Sequence, residues 1–136
     1  MSGFRPMQWK CATQGCFNAA HRLDFGHFFD CLPGRISMSD VDATVEVNSC
    51  FLFMEFKSSR ADLPTGQRIY FERLTSLSTR IMVMVVVAEI ATMACSAIRT
   101  VWNGNVGPWR NATLEVLKAA LRAWVRWAQQ QEREAA

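Results

Sequence analysis

The chain has little of the residues that build fibrous or linker proteins, with 7 glycines and 4 prolines among 136 residues. This composition excludes a collagen-like or proline-rich architecture. Charge of one sign is also lacking, because 15 Lys and Arg stand against 12 Asp and Glu, for a net charge of +3. Half of the residues are hydrophobic and 20% are charged, which excludes a wholly disordered chain. We therefore predict a single domain over residues 1–136 whose core needs neither disulfides nor metal.

The chain also lacks the features of a secreted or membrane protein. Its five cysteines are odd in number and unevenly spaced, which predicts a reducing compartment. The first ten residues contain no apolar segment of the kind a signal peptide needs, so we expect a cytoplasmic protein. The longest apolar run, residues 81–98, is interrupted by Glu89 and is rich in Val in its first half. This favours a buried strand over a membrane span, and we expect no membrane partner.

The clearest pattern present is a β-hairpin over residues 40–57. Val41, Ala43, Val45 and Val47 alternate with polar residues, which is the period of a strand with one buried face. Residues 48–49, Asn-Ser, are suited to a two-residue turn. Residues 50–57 form a second, mostly apolar strand, so the segment predicts a hairpin.

The remaining segments predict an α/β fold. We expect helices over residues 17–31, 67–78 and 111–133, a buried strand over residues 81–88, and a small second hairpin from residues 100–102 and 106–109. This order predicts a central mixed β-sheet flanked by helices. The core would occupy about residues 17–90, with a C-terminal hairpin and an amphipathic helix over residues 96–134.

The first hairpin brings charged residues together. With a two-residue turn at 48–49, the numbers of cross-strand partners sum to 97, so Asp42 faces Glu55 and Asp40 faces Lys57. Two acids this close repel each other unless a cation lies between them, and Mg²⁺ is commonly held by one or two carboxylates. An adjacent lysine completes a set suited to metal-assisted phosphodiester hydrolysis. The alternative is a solvated patch on an open sheet face, but Glu55 and Lys57 interrupt an apolar run, which favours a function.

Three segments, SDVDATVE at 39–46, FLFMEFK at 51–57 and TGQRIYFERL at 65–74, resemble the PD-(D/E)xK nuclease superfamily. The chain is most similar to the small stand-alone members of phages and mobile elements, near the virus-type replication-repair and Holliday-junction-resolvase-like branches. The resemblance implies a restriction-endonuclease-like core with the acids on a hairpin. It also implies a Mg²⁺- or Mn²⁺-dependent endo- or exodeoxyribonuclease acting on DNA in a bacterial or phage-infected cell, with a homodimer as a further expectation.

The resemblance assigns roles residue by residue. Asp42 matches the metal-binding acid of the first strand, with Asp40 as its alternative, while Glu55 matches the second metal ligand. Lys57 would orient the attacking water, and Gln67 matches a glutamine that opens the following helix. The expected substrate contacts are made by Tyr70, Arg68 and Arg60. Many members carry another acid on the first helix, for which this chain offers Asp24 or Asp30, with His21 or His27 as substitutes.

Two other functions remain open at this point. The chain is alternatively a nuclease-like module that binds nucleic acid or a protein without cutting. A third interpretation is an interaction protein stabilised by structural zinc at Cys11, Cys16, His21 and Cys31, although this spacing departs from the usual Cys-x2–4-Cys knuckle.

Overall fold

The computed structural model describes residues 25–34 and 36–132. The chain divides into two compact units, Met1–Ser39 and Asp40–Ala136. In the first unit, a 3₁₀ helix spans Phe25–Cys31 and buries none of its residues. The sequence predicted a longer helix over residues 17–31. Its described part is wound as a 3₁₀ helix, in which Gly26 weakens the α-helical preference, and residues 17–24 lie outside the described residues.

Over its described residues, 40–132, the second unit is a six-stranded mixed sheet with two α-helices. The elements are β1 (Ala43–Val47), β2 (Cys50–Lys57), α1 (Thr65–Ser76), β3 (Ile81–Glu89), β4 (Ala94–Trp102), β5 (Asn105–Val106), β6 (Arg110–Asn111) and α2 (Leu114–Gln129). The strand order is β1-β2-β3-β4-β5, with β6 also paired to β4. The prediction of an α/β fold with a mixed sheet and flanking helices is therefore confirmed.

The first hairpin has the predicted turn and register. β1 pairs antiparallel with β2 from Val47↔Cys50 to Ala43↔Met54, so partner numbers sum to 97. Asn48 and Ser49 form the two-residue turn with φ values of 52° and 66°. Both residues are in the left-handed region, as in the type I′ turns that match the twist of a hairpin.

The predicted start of the first strand at Asp40 is wrong, because β1 begins at Ala43. If the ladder continued, the backbone N–H of Phe56 would pair with residue 41, whose number also sums with 56 to 97. Instead, this N–H donates to Oδ2 of Asp42 at 2.8 Å. The Asp42 side chain thus ends the ladder, and the observed register does not extend to the predicted pairing of Asp40 with Lys57.

β3 is the central strand and is buried along most of its length. It pairs parallel with β2 and antiparallel with β4. Residues 83–88 are all buried, because both faces of the strand are covered. The predicted strand over residues 81–88 is confirmed and ends one residue later, at Glu89.

Each sheet face packs against one helix. On one face, Leu52, Met84 and Val86 form a cluster with Leu117 and Trp124 of α2. The opposite face carries Val83, Val85 and Val101, which pack with Phe71 of α1 and with Leu63 from the loop before it. Odd-numbered residues of β2 and β3 therefore lie on the α1 face and even-numbered residues on the α2 face.

β4 is much longer than the strand predicted over residues 100–102, since it starts at Ala94. The second hairpin turn comprises Asn103 and Gly104, with φ values of 52° and 81°. Burial raises the pKa of the Cys95 thiol on β4, which favours its protonated form. Within the described part of the chain, none of the helices has the length and apolarity required to span a membrane.

Candidate active site

Asp42 lies at the open end of the first hairpin. One oxygen of its carboxylate accepts the hydrogen bond from the Phe56 backbone, which ties the side chain to the C-terminal end of β2. Extending the observed register by one residue places Asp42 opposite Glu55. This is a non-hydrogen-bonded position, where the Cα atoms of an antiparallel pair lie about 4.5 Å apart and side chains are closest. The observed contact of Asp42 is the one with the Phe56 N–H, and its predicted position opposite Glu55 remains a prediction, because the paired register ends at Ala43.

Glu55 and Lys57 follow each other on the α1 face of β2 and form an ion pair. Lys57 Nζ lies 3.5 Å from Glu55 Oε1, and the two side chains are 27% and 14% exposed, respectively. A carboxylate this strongly shielded from water requires a cation or donors to compensate for its lost hydration. Lys57 supplies one such charge and leaves the other oxygen of Glu55 available for a further positive partner.

The backbone of Phe56 adds an oxygen to the same place. The N–H and C=O of one strand residue point to the same side, and the Phe56 N–H points toward Asp42. Its carbonyl therefore leaves β2 on the side where β1 has ended. Two carboxylates and a carbonyl are the hard oxygen donors that Mg²⁺ and Mn²⁺ accept, so the chemistry of the donor set fits the implied metal.

Gln67 lies in the first turn of α1, on the same helix face as the buried Phe71 four residues later. Its Oε1 atom is buried and has no hydrogen-bond partner. A buried amide oxygen without a donor costs about 1–3 kcal/mol, so this atom does not stabilise the fold, and the buried Nε1 atoms of Trp109 and Trp124 are in the same state. The prediction that Gln67 has a functional role remains a prediction, and its buried acceptor gives it a physical basis.

The three predicted substrate contacts lie in different places. Tyr70 is half exposed beside Phe71, with ring centroids 5.7 Å apart, and lines a groove along α1. Arg68 pairs with Glu72 one helical turn later, at 2.6 Å. Arg60 donates to Oδ1 of Asn111 and to the Ser96 carbonyl, so it attaches the loop after β2 to β6 and β4.

The remaining predicted ligands belong to the first unit or lie outside the described residues. Over residues 25–34 and 36–132, no group of three or more His, Cys, Asp and Glu side chains is placed to hold a metal ion. Asp30, His27 and Cys31 lie on the 3₁₀ helix of the other unit. Asp24 and three residues of the suggested zinc site, Cys11, Cys16 and His21, lie outside the described residues.

Sequence reasoning missed Arg99, which shares the α1 face with the acids. β2 pairs Glu55 with Val85, and β3 pairs Val85 with Arg99, so the three residues form one row across the sheet. Direct partners in a sheet lie on the same face. No local motif marks Arg99, because its position follows only from the pairing of β3 with β4.

The chain was compared with protein-family models, curated proteins and solved structures, and none of the three comparisons found a match.

Proposed function

We propose that this chain is a Mg²⁺-dependent nuclease that hydrolyses phosphodiester bonds in DNA. The observation that carries the proposal is the Glu55–Lys57 ion pair at the end of β2, together with the hydrogen bond from the Phe56 N–H between them to Asp42. The sequence of hairpin, α1 and β3 supports the finer proposal of a restriction-endonuclease-like core. DNA as substrate and a homodimer as the working form belong to the same proposal.

In this proposal, Asp42, Glu55 and the Phe56 carbonyl hold the metal. A bound Mg²⁺ polarises the phosphoryl oxygen and lowers the pKa of a bound water. Asp40 is the alternative acid on the first strand. Because Asp42 is fixed by the Phe56 N–H, its second oxygen keeps a defined direction without reorganisation during the reaction.

Lys57 acts beside the metal ligands. Its ammonium group, paired with Glu55, orients the attacking water and neutralises the charge that develops on the phosphate. Attack by water oxygen forms a new P–O bond and breaks the bond to the leaving sugar oxygen, which receives a proton. The products are a phosphate monoester and a free hydroxyl. The Gln67 amide positions the substrate or Lys57 from the start of α1.

The test is cleavage of supercoiled plasmid and of branched DNA with Mg²⁺, with EDTA as the metal-free control. We expect Glu55→Gln and Lys57→Ala each to lower the cleavage rate by about 10²-fold or more, the scale of losing a charge-stabilising or proton-transferring group. Glu115→Gln, which removes an exposed acid on α2, is the matched control and should retain the rate. Circular dichroism would establish that all variants fold.

Cleavage that survives both Glu55→Gln and Lys57→Ala would refute the assigned site. DNA binding without cleavage by the wild-type chain would instead favour the non-catalytic binding module.

A further inference from the structure

A cleft of about 430 Å³ lies beside the start of α1 and is separate from the acidic end of the hairpin. Its walls are formed by Asp62, Leu63, Thr65, Arg68, Arg99 and Val106. Two of these residues are arginines and one is an acid. Arg68 is paired with Glu72, so Arg99 is the cation of the cleft that has no carboxylate bonded to it among the described residues.

Arg99 is held in this cleft by two contacts on one side of its guanidinium. Its Nε donates to the Gly107 carbonyl at 2.9 Å. The guanidinium carbon lies 4.7 Å from the centre of the Trp109 ring, within the range of a cation–π contact. These contacts fix the plane of the guanidinium, so little conformational freedom is lost when it binds a ligand.

The charge of Arg99 is partly buried and lacks an acidic partner. Among the residues that the structure describes, no carboxylate forms an ion pair with it, although Asp62 lies on the same cleft wall. The hydrogen bond to Gly107 uses Nε and the contact with Trp109 uses the face of the guanidinium, so neither hydrogen-bonds a terminal nitrogen. A guanidinium fork with two terminal N–H groups matches the paired oxygens of a phosphate.

The distance between Arg99 and Glu55 determines which phosphate of a bound strand Arg99 can reach. Arg99 is two strands away from Glu55 in the row that passes through Val85. Neighbouring strands are about 4.8 Å apart, so the two backbones are separated by roughly 10 Å. Phosphates of one DNA strand follow a helical path, so they lie further apart than their rise of about 3.4 Å along the axis, and a strand cleaved at Glu55 would present a phosphate within a few nucleotides of the cut at this distance.

We propose that Arg99 binds a backbone phosphate of the nucleic acid strand a few nucleotides from the bond that is cut. This inference rests on the proposed function, because it takes the substrate to be a polynucleotide lying across the α1 face. Arg99 makes no contact with the reacting phosphate. Its role is to hold the strand in register with the acids.

The test is equilibrium binding of a fluorescein-labelled DNA oligonucleotide in EDTA, followed by anisotropy at several salt concentrations. Arg99→Gln removes the charge and should weaken binding about tenfold or more. It should also reduce the slope of log Kd against log salt by about 0.7 to 0.9, the value for one phosphate contact. Arg99→Lys should restore the slope but only part of the affinity, since lysine cannot form the bidentate contact. Arg122→Gln removes an exposed charge from α2 and should bind like the wild type.

Cleavage kinetics separate this inference from the proposed function. If Arg99→Gln binds DNA with wild-type affinity and salt slope while the wild type cuts DNA, the Arg99 site is refuted and the nuclease stands. If binding depends on Arg99 but the wild type does not cut with Mg²⁺, the phosphate site stands and the nuclease is refuted. Thermal unfolding of Arg99→Gln and Arg99→Lys shows whether loss of the guanidinium contact with Trp109 has unfolded either variant. A folded Arg99→Lys that binds no better than Arg99→Gln also refutes the proposal.

Discussion

At the residue scale, Gln67 has a buried polar atom whose effect on stability and proposed role in cleavage can be measured in one variant. Its buried Oε1 has lost water and gained no donor, which lowers the free energy of unfolding. We predict that Gln67→Met, which keeps the length and the helix propensity, leaves the unfolding free energy unchanged or raises it by about 1 kcal/mol. The same substitution should reduce Mg²⁺-dependent DNA cleavage, because the amide no longer reaches the substrate or Lys57. Urea unfolding and the cleavage rate are measured on the same preparation.

The matched control is Gln130→Met at the exposed C-terminal end of α2. It should change neither quantity appreciably, because that side chain is in water. A loss of stability in Gln67→Met comparable to that of a core cavity would show that the Gln67 amide serves packing, and would contradict this prediction.

The residues of the site differ in how far sequence could locate them. Asp42, Glu55 and Lys57 are predictable because a two-residue turn and strict alternation determine which residues meet across a hairpin, and these are local properties. The early end of β1 is not predictable from alternation, since it depends on the Asp42 side chain replacing a backbone acceptor. Arg99 reaches the same face only through two long-range strand pairings.

At the scale of elements, the turn of the first hairpin is hydrogen-bonded to the C-terminal end of α2. Asn48 has φ 52°, and its Nδ2 donates to the carbonyls of Ala128 and Gln131 at 3.0 Å and 2.5 Å. Arg80 strengthens the same contact, because its guanidinium donates to the carbonyls of both Asn48 and Glu132. The turn therefore binds carbonyls at and just beyond the end of α2, and that of Ala128 also accepts the backbone N–H groups of Gln130 and Gln131.

We predict that Asn48→Gly lowers the unfolding free energy by about 1–3 kcal/mol, the contribution of two hydrogen bonds. Glycine keeps the left-handed backbone, so this variant isolates the side-chain bonds. Asn48→Ala should cost about 1–2 kcal/mol more, because alanine disfavours a positive φ. Chemical denaturation of the three proteins measures both steps.

Asn103 provides the control for this experiment, since it has the same φ of 52° in the exposed second turn. Asn103→Gly should change the unfolding free energy by only a few tenths of a kcal/mol. Equal losses in Asn48→Gly and Asn103→Gly would mean that the effect comes from backbone entropy alone and not from the bonds to α2.

Elements differ in predictability for a related reason. β3 could be located from sequence because its uninterrupted run of apolar residues, rich in Val, is typical of a strand that is covered on both faces. The first half of β4 could not, because Ala94, Cys95, Ser96 and Ala97 are small and do not alternate in polarity. That half is a strand because β3 supplies its hydrogen-bonding partners, which is a tertiary cause that local propensity does not record.

At the scale of the whole molecule, the unit that begins at Asp40 is held together by two apolar clusters on opposite faces of β3. The larger cluster lies on the α2 face, whereas the α1 face combines the smaller cluster with the charged residues Glu55, Lys57 and Arg99. Under the proposed function, the reaction would therefore take place on the α1 face. Substitutions on the α2 face should therefore change stability without changing the charged row.

Val86 tests this separation. It lies on β3 with no exposed surface, within the cluster that packs against α2. We predict that Val86→Ala lowers the unfolding free energy by about 1.5–3 kcal/mol, through lost burial and the cavity left behind. Val45→Ala is the matched control, because Val45 is 40% exposed on the edge strand β1 and should lose well under half as much.

Urea unfolding measures both variants, and DNA binding by Val86→Ala well below its unfolding midpoint should equal that of the wild type. A comparable loss for the two valines would place the main core elsewhere, and weakened DNA binding in folded Val86→Ala would show that the two faces are coupled.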